Sequence, residues 1–355
     1  MVPAHQNPGQ LQNDNKGAEP SHHFIVLLNL SLEPELTEQI ASVDPRIQVF
    51  STYKAARLGS DEEPKRVEGP ELDALLAQAE VLFSFGIPPE WLSKAPALRW
   101  VQLASAGSDQ AFRTGIFRER PDLIVTTASG LHEVPISEHI VAMILHFSRG
   151  FHRAVRNQPM HKWERFSLDE AHGKTVCLIG YGPIARRAAG LCAALGMRVL
   201  AVRGSLLEQQ PGQDGVERFY PPSYLDEALA ESDYVVVAAP RTPQSEGMIG
   251  TRQFEAMKPG AVLINISRGA LVDEEALVQA LRSGKLAGAG LDVFTQEPLP
   301  ESSPLWDLPN VLITPHNSGS NPHYNRRATN IFCDNLARFL RGEPMRNQVI
   351  AERGY

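Results

Sequence analysis

Three residues in the C-terminal half of the chain have side chains suited to chemistry on a carbonyl group: Arg268, Glu297 and His316. Each lies at or just beyond the C-terminal end of a predicted strand, which is where ligands bind in open α/β sheets. A positioned cation and a proton donor stabilise negative charge that builds on an oxygen atom. Histidine titrates near neutral pH, and a neighbouring carboxylate fixes the orientation of its ring. Taken singly, each residue is more typical of a surface or turn position, so the pattern alone leaves its role open.

A glycine-rich turn, "LIGYGPIA", occupies residues 178–185. Gly180 allows a tight turn, and Gly182 lets the backbone approach a pyrophosphate at the N-terminus of the next helix, where free amides favour an anion. Such turns are common, but here the preceding strand, the helix and the next strand also have the required spacing. The stretch therefore predicts a dinucleotide site, with contacts from Gly180, Tyr181, Gly182, Pro183 and Ile184. Pro240 and Ile266, in later strands of the same unit, are also expected to contact the cofactor.

A basic residue, Arg203, stands where the second strand of this unit ends. An acidic residue there would accept from a ribose 2′-hydroxyl, whereas an arginine offers hydrogen bonds to a 2′-phosphate. Ser205 adds a hydroxyl donor. We therefore predict NADP as the cofactor, with NAD possible, because a solvated Arg203 would tolerate either. Arg241, after the next strand, either approaches the adenosine end or is solvated.

Short apolar runs alternate with amphipathic stretches from residue 23 onward, which indicates βαβ units and parallel sheets. The strand-like runs are 24–30, 47–50, 81–86, 98–104, 123–128, 174–180, 198–202, 234–240, 261–267, 287–294 and 311–316. They predict two α/β halves. A helix over 134–147 is apolar nearly all round, so we expect it to be buried between domains or subunits, which favours a homodimer.

The composition is that of an ordinary globular protein, with 43% hydrophobic and 21% charged residues among 355. A formal net charge of −7 gives no basic face for nucleic acid.

The three cysteines predict reduced thiols and no metal cluster. No apolar run reaches the roughly 20 residues of a membrane span. Residues 1–20 have no apolar stretch typical of a signal peptide and predict a disordered tail, so we expect a cytoplasmic protein.

Several conspicuous side chains are assigned only a packing role. The histidines His132, His139 and His146 have no pattern that favours catalysis. Three tryptophans, Trp91, Trp100 and Trp163, are expected in the core or between domains.

Five segments together resemble the NAD(P)-dependent D-isomer-specific 2-hydroxyacid dehydrogenases, including the glyoxylate/hydroxypyruvate reductases. They are "SAGSD" (105–109), "GYGPIA", "MKPGAVLINISRGALVDEEAL" (257–277), "GAGLDVFTQEPLP" (288–300) and "TPHNSG" (314–319). The resemblance covers nearly the whole chain after residue 22. It implies a Rossmann-type nucleotide domain over 134–317 and a flavodoxin-like substrate domain built from 21–133 and 318–355, with the C-terminal helix folded back.

The resemblance also implies residue roles. Arg268 would bind the substrate carboxylate or polarise its 2-keto oxygen. Glu297 would hold the ring of His316, the acid that protonates the developing alkoxide. Asp292 would contact the nicotinamide carboxamide, and loop amides at Gly86, Ala106 and Gly107 would hold the substrate carboxylate.

The resulting interpretation is an NADPH-dependent reductase of small 2-keto acids, with glyoxylate or hydroxypyruvate as substrate. One alternative is an NAD-linked oxidation of the phosphoglycerate dehydrogenase type. Another is a dinucleotide-sensing binding protein like the corepressors that share this fold. Gly204 departs from the pattern, because NADP-using relatives often place their arginine one residue after the position of Arg203.

Overall fold

The computed structural model describes residues 23–53 and 65–351, which form two α/β units. The predicted tail, residues 1–20, lies outside the described residues. The first sheet contains five parallel strands in the order β2-β1-β3-β4-β5. The strands are β1 (Phe24–Asn29), β2 (Ile47–Ser51), β3 (Val81–Ser84), β4 (Trp100–Leu103) and β5 (Ile124–Thr126). This order is the flavodoxin-like form of a doubly wound sheet.

Five short helices accompany this sheet: α1 (Pro34–Ala41), α2 (Gly69–Gln78), α3 (Pro89–Leu92), α4 (Asp109–Arg113) and α5 (Ile116–Glu119). Proline stands in the first turn of the first three, where its missing amide costs no hydrogen bond. Strands β3 and β4 are buried along their whole length. Both faces of the sheet are therefore covered, as the apolar runs predicted.

The second sheet has eight strands in the order β13-β12-β11-β10-β6-β7-β9-β8. They are β6 (Thr175–Ile179), β7 (Arg198–Val202), β8 (Gln210–Pro211), β9 (Arg218–Tyr220), β10 (Tyr234–Val237), β11 (Ala261–Asn265), β12 (Leu286–Leu291) and β13 (Val311–Ile313). Only the pair of β8 and β9 is antiparallel. Sequence patterning missed these two strands because they are two and three residues long, too short to show a period.

Helices cover both faces of the second sheet. They are α6 (Glu133–Ser148), α7 (Phe151–Asn157), α8 (Pro183–Ala194), α9 (Leu225–Ala230), α10 (Thr251–Ala256) and α11 (Glu274–Arg282). Helix α6 lies close against β12 because the strand carries glycine at two positions that face it. A Cβ on Gly290 would lie 2.6 Å from Met143 Sδ, and one on Gly288 would lie 2.5 Å from Phe147. The "GAG" pattern therefore sets how closely this helix packs.

The last helix, α12 (Tyr324–Arg341), returns to the first sheet. Phe332, fully buried on this helix, stacks on Phe83 of β3 at 4.5 Å and on Trp100 of β4 at 5.2 Å between ring centroids. Burial of one such ring contributes roughly 1.5–3 kcal/mol. The chain thus crosses between the two units twice, before α6 and before α12. The domain boundaries drawn from the sequence stay a prediction.

Helix α6 was expected to be buried between domains or subunits, but it packs within the second unit. Its buried side chains, Ile136, Ile140, Met143 and Ile144 among them, belong to the core that this chain forms with α8 and the second sheet. Its apolar face is therefore no argument for a second subunit. The prediction that Trp163 packs in the core is also wrong, since it is 94% exposed in an irregular segment with no covering element among the described residues. Trp100 is fully buried, and Trp91 is partly buried against the hydrophobic core of the first unit.

Two further observations concern residues 23–53 and 65–351. Within these ranges, no helix combines the length and the apolar character that crossing a membrane requires. In the same ranges no cluster of histidine, cysteine, aspartate or glutamate could bind a metal ion. Cys177, Cys192 and Cys333 are free thiols, the first two buried and the third partly buried.

Candidate active site

The glycine-rich turn links β6 to α8 at the carboxyl edge of the second sheet. Gly180 has φ 92°, and a Cβ there would lie 2.6 Å from the backbone of Ala239, so this position requires glycine. Gly182 is the residue before α8, and Pro183 begins the helix. A Cβ at Gly182 would meet nothing within 4 Å. Space is therefore open beside the N-terminus of α8, which fits a pyrophosphate bound by the free amides of a helix N-terminus.

Arg203 leaves β7 at the same edge of the sheet and is exposed. Its backbone amide donates to Tyr220 O (2.9 Å), but its guanidinium has no hydrogen-bond or ion-pair partner within the described part of the chain. Burial raises the pKa of Tyr181, whereas Arg186 and Arg203 act in the opposite direction, so both guanidinium groups lie near that phenol. Arg241, in contrast, is paired with Glu246. Of the two arginines considered for contact with a 2′-phosphate, Arg203 is therefore the one whose guanidinium is not already paired with a carboxylate in the described part of the chain.

The other residues predicted to contact the cofactor occupy neighbouring positions at this edge. Pro240 follows β10 and is exposed, whereas Ile266 follows β11 and is buried in the core shared with α6 and α8. Tyr181 and Ile184 are partly buried against the same core. Ser205 lies exposed in the turn after Arg203. The structure thus gathers these residues along one edge, and their contacts with a cofactor stay predictions.

His316 and Glu297 are brought together by the loops after β13 and β12. His316 Nδ1 lies 2.7 Å from Glu297 Oε2. The other carboxylate oxygen, Oε1, accepts from the Phe294 amide at 3.0 Å, so the carboxylate is itself fixed. Half of the imidazole side chain remains exposed to solvent. Because Nδ1 is engaged, Nε2 is the ring atom available to a ligand.

The backbone of His316 is held in an unusual conformation, with φ 49°. Non-glycine residues rarely adopt positive φ, and such strain persists only where the surroundings enforce it. Here the His316 amide donates to Asp292 O (2.9 Å), and the amides of Asn317 and Ser318 donate to the Asp292 carboxylate (3.0 and 3.1–3.2 Å). Asp292 is fully buried. It therefore fixes the loop that carries His316, and its predicted contact with a nicotinamide stays a prediction.

Arg268 stands at the third position, after β11. Asn265, the last residue of β11, donates its side-chain amide to Arg268 O (3.0 Å) and accepts from the Ser267 amide (3.1 Å). The Arg268 guanidinium donates to Ser267 O at 2.7 Å. The buried Asn265 thus fixes the backbone from which Arg268 extends, a role that its place at the end of a strand did not suggest.

The loop after β4 offers two backbone donors. The amides of Ala106 and Gly107 have no acceptor within residues 23–53 and 65–351. Ser105 Oγ donates to Gly107 O (3.0 Å), which holds the loop. The Gly86 amide, by contrast, donates to Ser84 Oγ at 3.2 Å. Of the three predicted carboxylate-binding amides, those of Ala106 and Gly107 are therefore better placed to bind an anion.

His132, assigned to packing from the sequence, lies beside these groups. It precedes α6 at the first crossing of the chain, and its Nδ1 lies 3.2 Å from Gly319 O at the second. Burial lowers the pKa of His132, and the charges of Arg327, Arg268 and His316 lower it further. Arg268 and His316 therefore both lie near His132, next to the two crossings. No sequence pattern pointed to His132.

These groups follow β4, β11, β12 and β13, and their chemistry is suited to reduction of a carbonyl compound that carries an anionic group. Backbone amides and a guanidinium can bind the anion, and a histidine fixed by a carboxylate can supply a proton.

Known proteins resemble this chain in sequence and in fold. A model of the D-isomer specific 2-hydroxyacid dehydrogenase NAD-binding domain matches residues 141–318. A D-3-phosphoglycerate dehydrogenase of Archaeoglobus fulgidus is 32% identical over 295 residues, 82% of this chain. This chain belongs to the D-isomer specific 2-hydroxyacid dehydrogenase family. The members of this family are NAD(P)-dependent oxidoreductases that act on a CH–OH group.

Relatives within the family differ in their named activities. A glyoxylate/hydroxypyruvate reductase B of Pectobacterium carotovorum is 35% identical over 294 residues, which are 79% of this chain and 88% of the relative. The match to the Archaeoglobus protein covers only 54% of that relative, so the chain spans about half the length of such phosphoglycerate dehydrogenases.

Solved structures of family members have the same fold. A dehydrogenase of Xanthobacter autotrophicus Py2, in complex with NADPH and MES, superposes with a TM-score of 0.76 at 28% identity, covering 93% of this chain and all of that one. An NADPH-dependent glyoxylate/hydroxypyruvate reductase of Sinorhizobium meliloti, in complex with NADP and sulfate, gives a TM-score of 0.76 at 28% identity, covering 94% of this chain and all of that one. The predicted α/β fold of two doubly wound domains is confirmed.

Proposed function

We propose that this protein reduces small 2-keto acids to D-2-hydroxy acids, with NADPH as the hydride donor. The main support is the hydrogen-bonded pair of His316 and Glu297, whose Nδ1 and Oε2 atoms lie 2.7 Å apart. A histidine fixed in this way can deliver a proton to the oxygen of a carbonyl group that accepts a hydride.

Each residue has a defined task in this proposal. The amides of Ala106 and Gly107 bind the substrate carboxylate, and Arg268 binds the same group or polarises the keto oxygen. Glu297 holds Nδ1 of His316, so Nε2 carries the proton that passes to the keto oxygen. A bound NADPH would supply the hydride that C2 of the keto acid accepts. Closure of the two domains would exclude water from the reacting atoms.

NADPH is favoured over NADH by the charge of Arg203. Its guanidinium is available at the end of β7, where a 2′-phosphate would lie if the pyrophosphate binds at the start of α8. Ser205 supplies a nearby hydroxyl. The Xanthobacter and Sinorhizobium relatives were solved with NADPH and NADP, which supports the same assignment here.

Glyoxylate or hydroxypyruvate is the proposed substrate. The Pectobacterium relative, which this chain matches over nearly its whole length, is named as a reductase of these two acids. A second candidate is NAD-linked oxidation of a phosphorylated hydroxy acid, favoured by the phosphoglycerate dehydrogenase relatives. A third is dinucleotide sensing without turnover, since a binding protein would keep the same groups.

A panel assay with purified protein separates these candidates. Consumption of NADPH would be followed with glyoxylate, hydroxypyruvate and pyruvate, and reduction of NAD with 3-phosphoglycerate. The proposal expects turnover of the keto acids with NADPH. Turnover of 3-phosphoglycerate with NAD alone would favour the second candidate, and NADPH binding with no turnover would favour the sensor.

A homodimer is proposed on different grounds from those of the sequence. The segment from α7 to residue 168 exposes five large apolar side chains: Phe151, Val155, Met160, Trp163 and Leu168. Clustered apolar exposure of this kind marks an association surface. Light scattering of the eluted protein would test it, with Trp163→Ser expected to weaken a dimer. A cytoplasmic location stays a prediction.

A further inference from the structure

A chain of hydrogen bonds leads from helix α6 to the loop that carries His316. We call residues 314–319 the His316 loop. The Thr314 hydroxyl donates to Asp292 Oδ1 at 2.6 Å, and His139 Nε2 lies 3.3 Å from the same hydroxyl oxygen. The hydroxyl has one proton, and the short contact with a carboxylate assigns that proton to Asp292. His139 Nε2 must therefore be the donor to Thr314.

Asp292 is the centre of this arrangement. Its carboxylate is fully buried and accepts from Thr314 Oγ1 and from the amides of Asn317 and Ser318. A buried carboxylate needs its acceptor sites filled, because each missing donor leaves charge poorly solvated. Thr314 fills one of these sites from the strand side of the loop. His139, partly buried on α6, fixes the orientation of the Thr314 hydroxyl.

The loop has a reason to need this support. His316 adopts φ 49°, a conformation that a histidine does not hold by itself. Burial lowers the pKa of His139, so its ring is neutral at neutral pH. The acceptor oxygen of Thr314 then places the single ring proton on Nε2. The three bonds to the Asp292 carboxylate and the bond from His316 N to Asp292 O therefore hold the strained turn.

We propose that His139 and Thr314 are positioning residues that, through Asp292, hold the His316 loop in the conformation that presents the imidazole to the candidate active site. This inference rests on the proposed function for its effect on catalysis but not for its effect on the loop. It also assigns a task to α6, the helix at the first crossing, beyond its packing on β12.

Two substitutions test the proposal, each paired with a conservative rescue. Thr314→Val keeps the side-chain shape and removes the hydroxyl, whereas Thr314→Ser keeps the hydroxyl. His139→Phe keeps a ring and removes the donor, whereas His139→Gln keeps an N–H. His146→Phe is the matched control, because His146 lies on the same helix against Phe147 and His152.

Hydrogen exchange of a peptide spanning the His316 loop reports on the loop directly, and kcat and KM for glyoxylate report on its use. Thr314→Val and His139→Phe are expected to speed exchange at residues 317 and 318 and to lower kcat about tenfold, the effect of one lost hydrogen bond. KM should change less than kcat. The Ser and Gln variants should stay within about threefold of the original protein, and His146→Phe should match it.

Unchanged exchange in both Thr314→Val and His139→Phe would overturn the proposal. An effect of Thr314→Val without one of His139→Phe would overturn the assignment of His139. If the original protein turns over no keto acid, the proposed function fails, and hydrogen exchange alone still decides this inference.

Discussion

His316 Nδ1 and Glu297 Oε2 are 2.7 Å apart, although their side chains belong to loops after two different strands. The Phe294 amide fixes the second carboxylate oxygen of Glu297. The carboxylate therefore sets the ring orientation and leaves Nε2 as the ring atom available to a ligand.

Glu297→Ala should free the imidazole ring and lower kcat about ten- to a hundredfold, because a hydrogen bond to a charged group contributes about 1.5–3 kcal/mol. Glu297→Gln keeps an acceptor and should retain more activity than Glu297→Ala. Steady-state kinetics with glyoxylate measure both variants. Equal, undiminished kcat in the two would show that the pair does not act in the reaction.

Arg268→Ala should lower kcat/KM for a keto acid by about ten- to a thousandfold, since it removes a charge-assisted contact to the anionic substrate. Arg268→Lys should restore only part of this, because an ammonium group cannot make the bidentate contact. The control is the Kd for NADPH, measured by fluorescence titration, which should be nearly unchanged. A kcat/KM close to that of the original protein would remove Arg268 from substrate binding.

Arg203→Asp should shift cofactor preference towards NADH. The ratio of kcat/KM for NADPH to that for NADH should fall about ten- to a hundredfold, because an acidic residue repels the 2′-phosphate. Arg241→Ala is the matched control, since Arg241 is already paired with Glu246. If the ratio stays constant in Arg203→Asp, another group selects the cofactor.

Stability should fall on mild acidification. Burial lowers the pKa of His132, His139, His146 and His152 below the ordinary value of 6.5. The unfolded chain therefore binds protons at these histidines more readily than the folded chain. The contribution of the four neutral rings to the free energy of unfolding is fully present above pH 6.5 and is lost as the pH falls below this value. Tm should drop by on the order of a few degrees between pH 7.5 and 5.5. His146→Phe should reduce this dependence, and a Tm that rises over the interval would contradict the account.

Much of the fold could be predicted from the sequence because its strands are buried on both faces and separated by proline and glycine signals. The turn at Gly180 was predicted from its glycine-rich pattern. The structure explains this pattern, since only glycine fits beside Ala239. Strand β9 could not be predicted, because Arg218–Tyr220 is too short to show alternation.

The catalytic residue types could be proposed from the sequence, but their support could not. Thr314 Oγ1 and His139 Nε2 meet although the two residues lie far apart in the chain. Asn265 instead makes short-range hydrogen bonds to Ser267 and Arg268, which depend on the exact path of the loop after β11. Periodicity reports which face of an element is buried and not which polar groups meet across elements. The exposure of Trp163 was also missed. Trp163 lies in an irregular segment, and its residue type alone does not show whether another element covers it.

The role of His316 as proton donor is tested by the rate of NADPH oxidation with glyoxylate by the purified protein and by His316→Ala, with the exposed His323→Ala as control. We expect turnover by the original protein and by His323→Ala, and a kcat about 10²–10⁴-fold lower in His316→Ala, the usual effect of losing a general acid. Equal turnover by His316→Ala and the original protein would contradict this role.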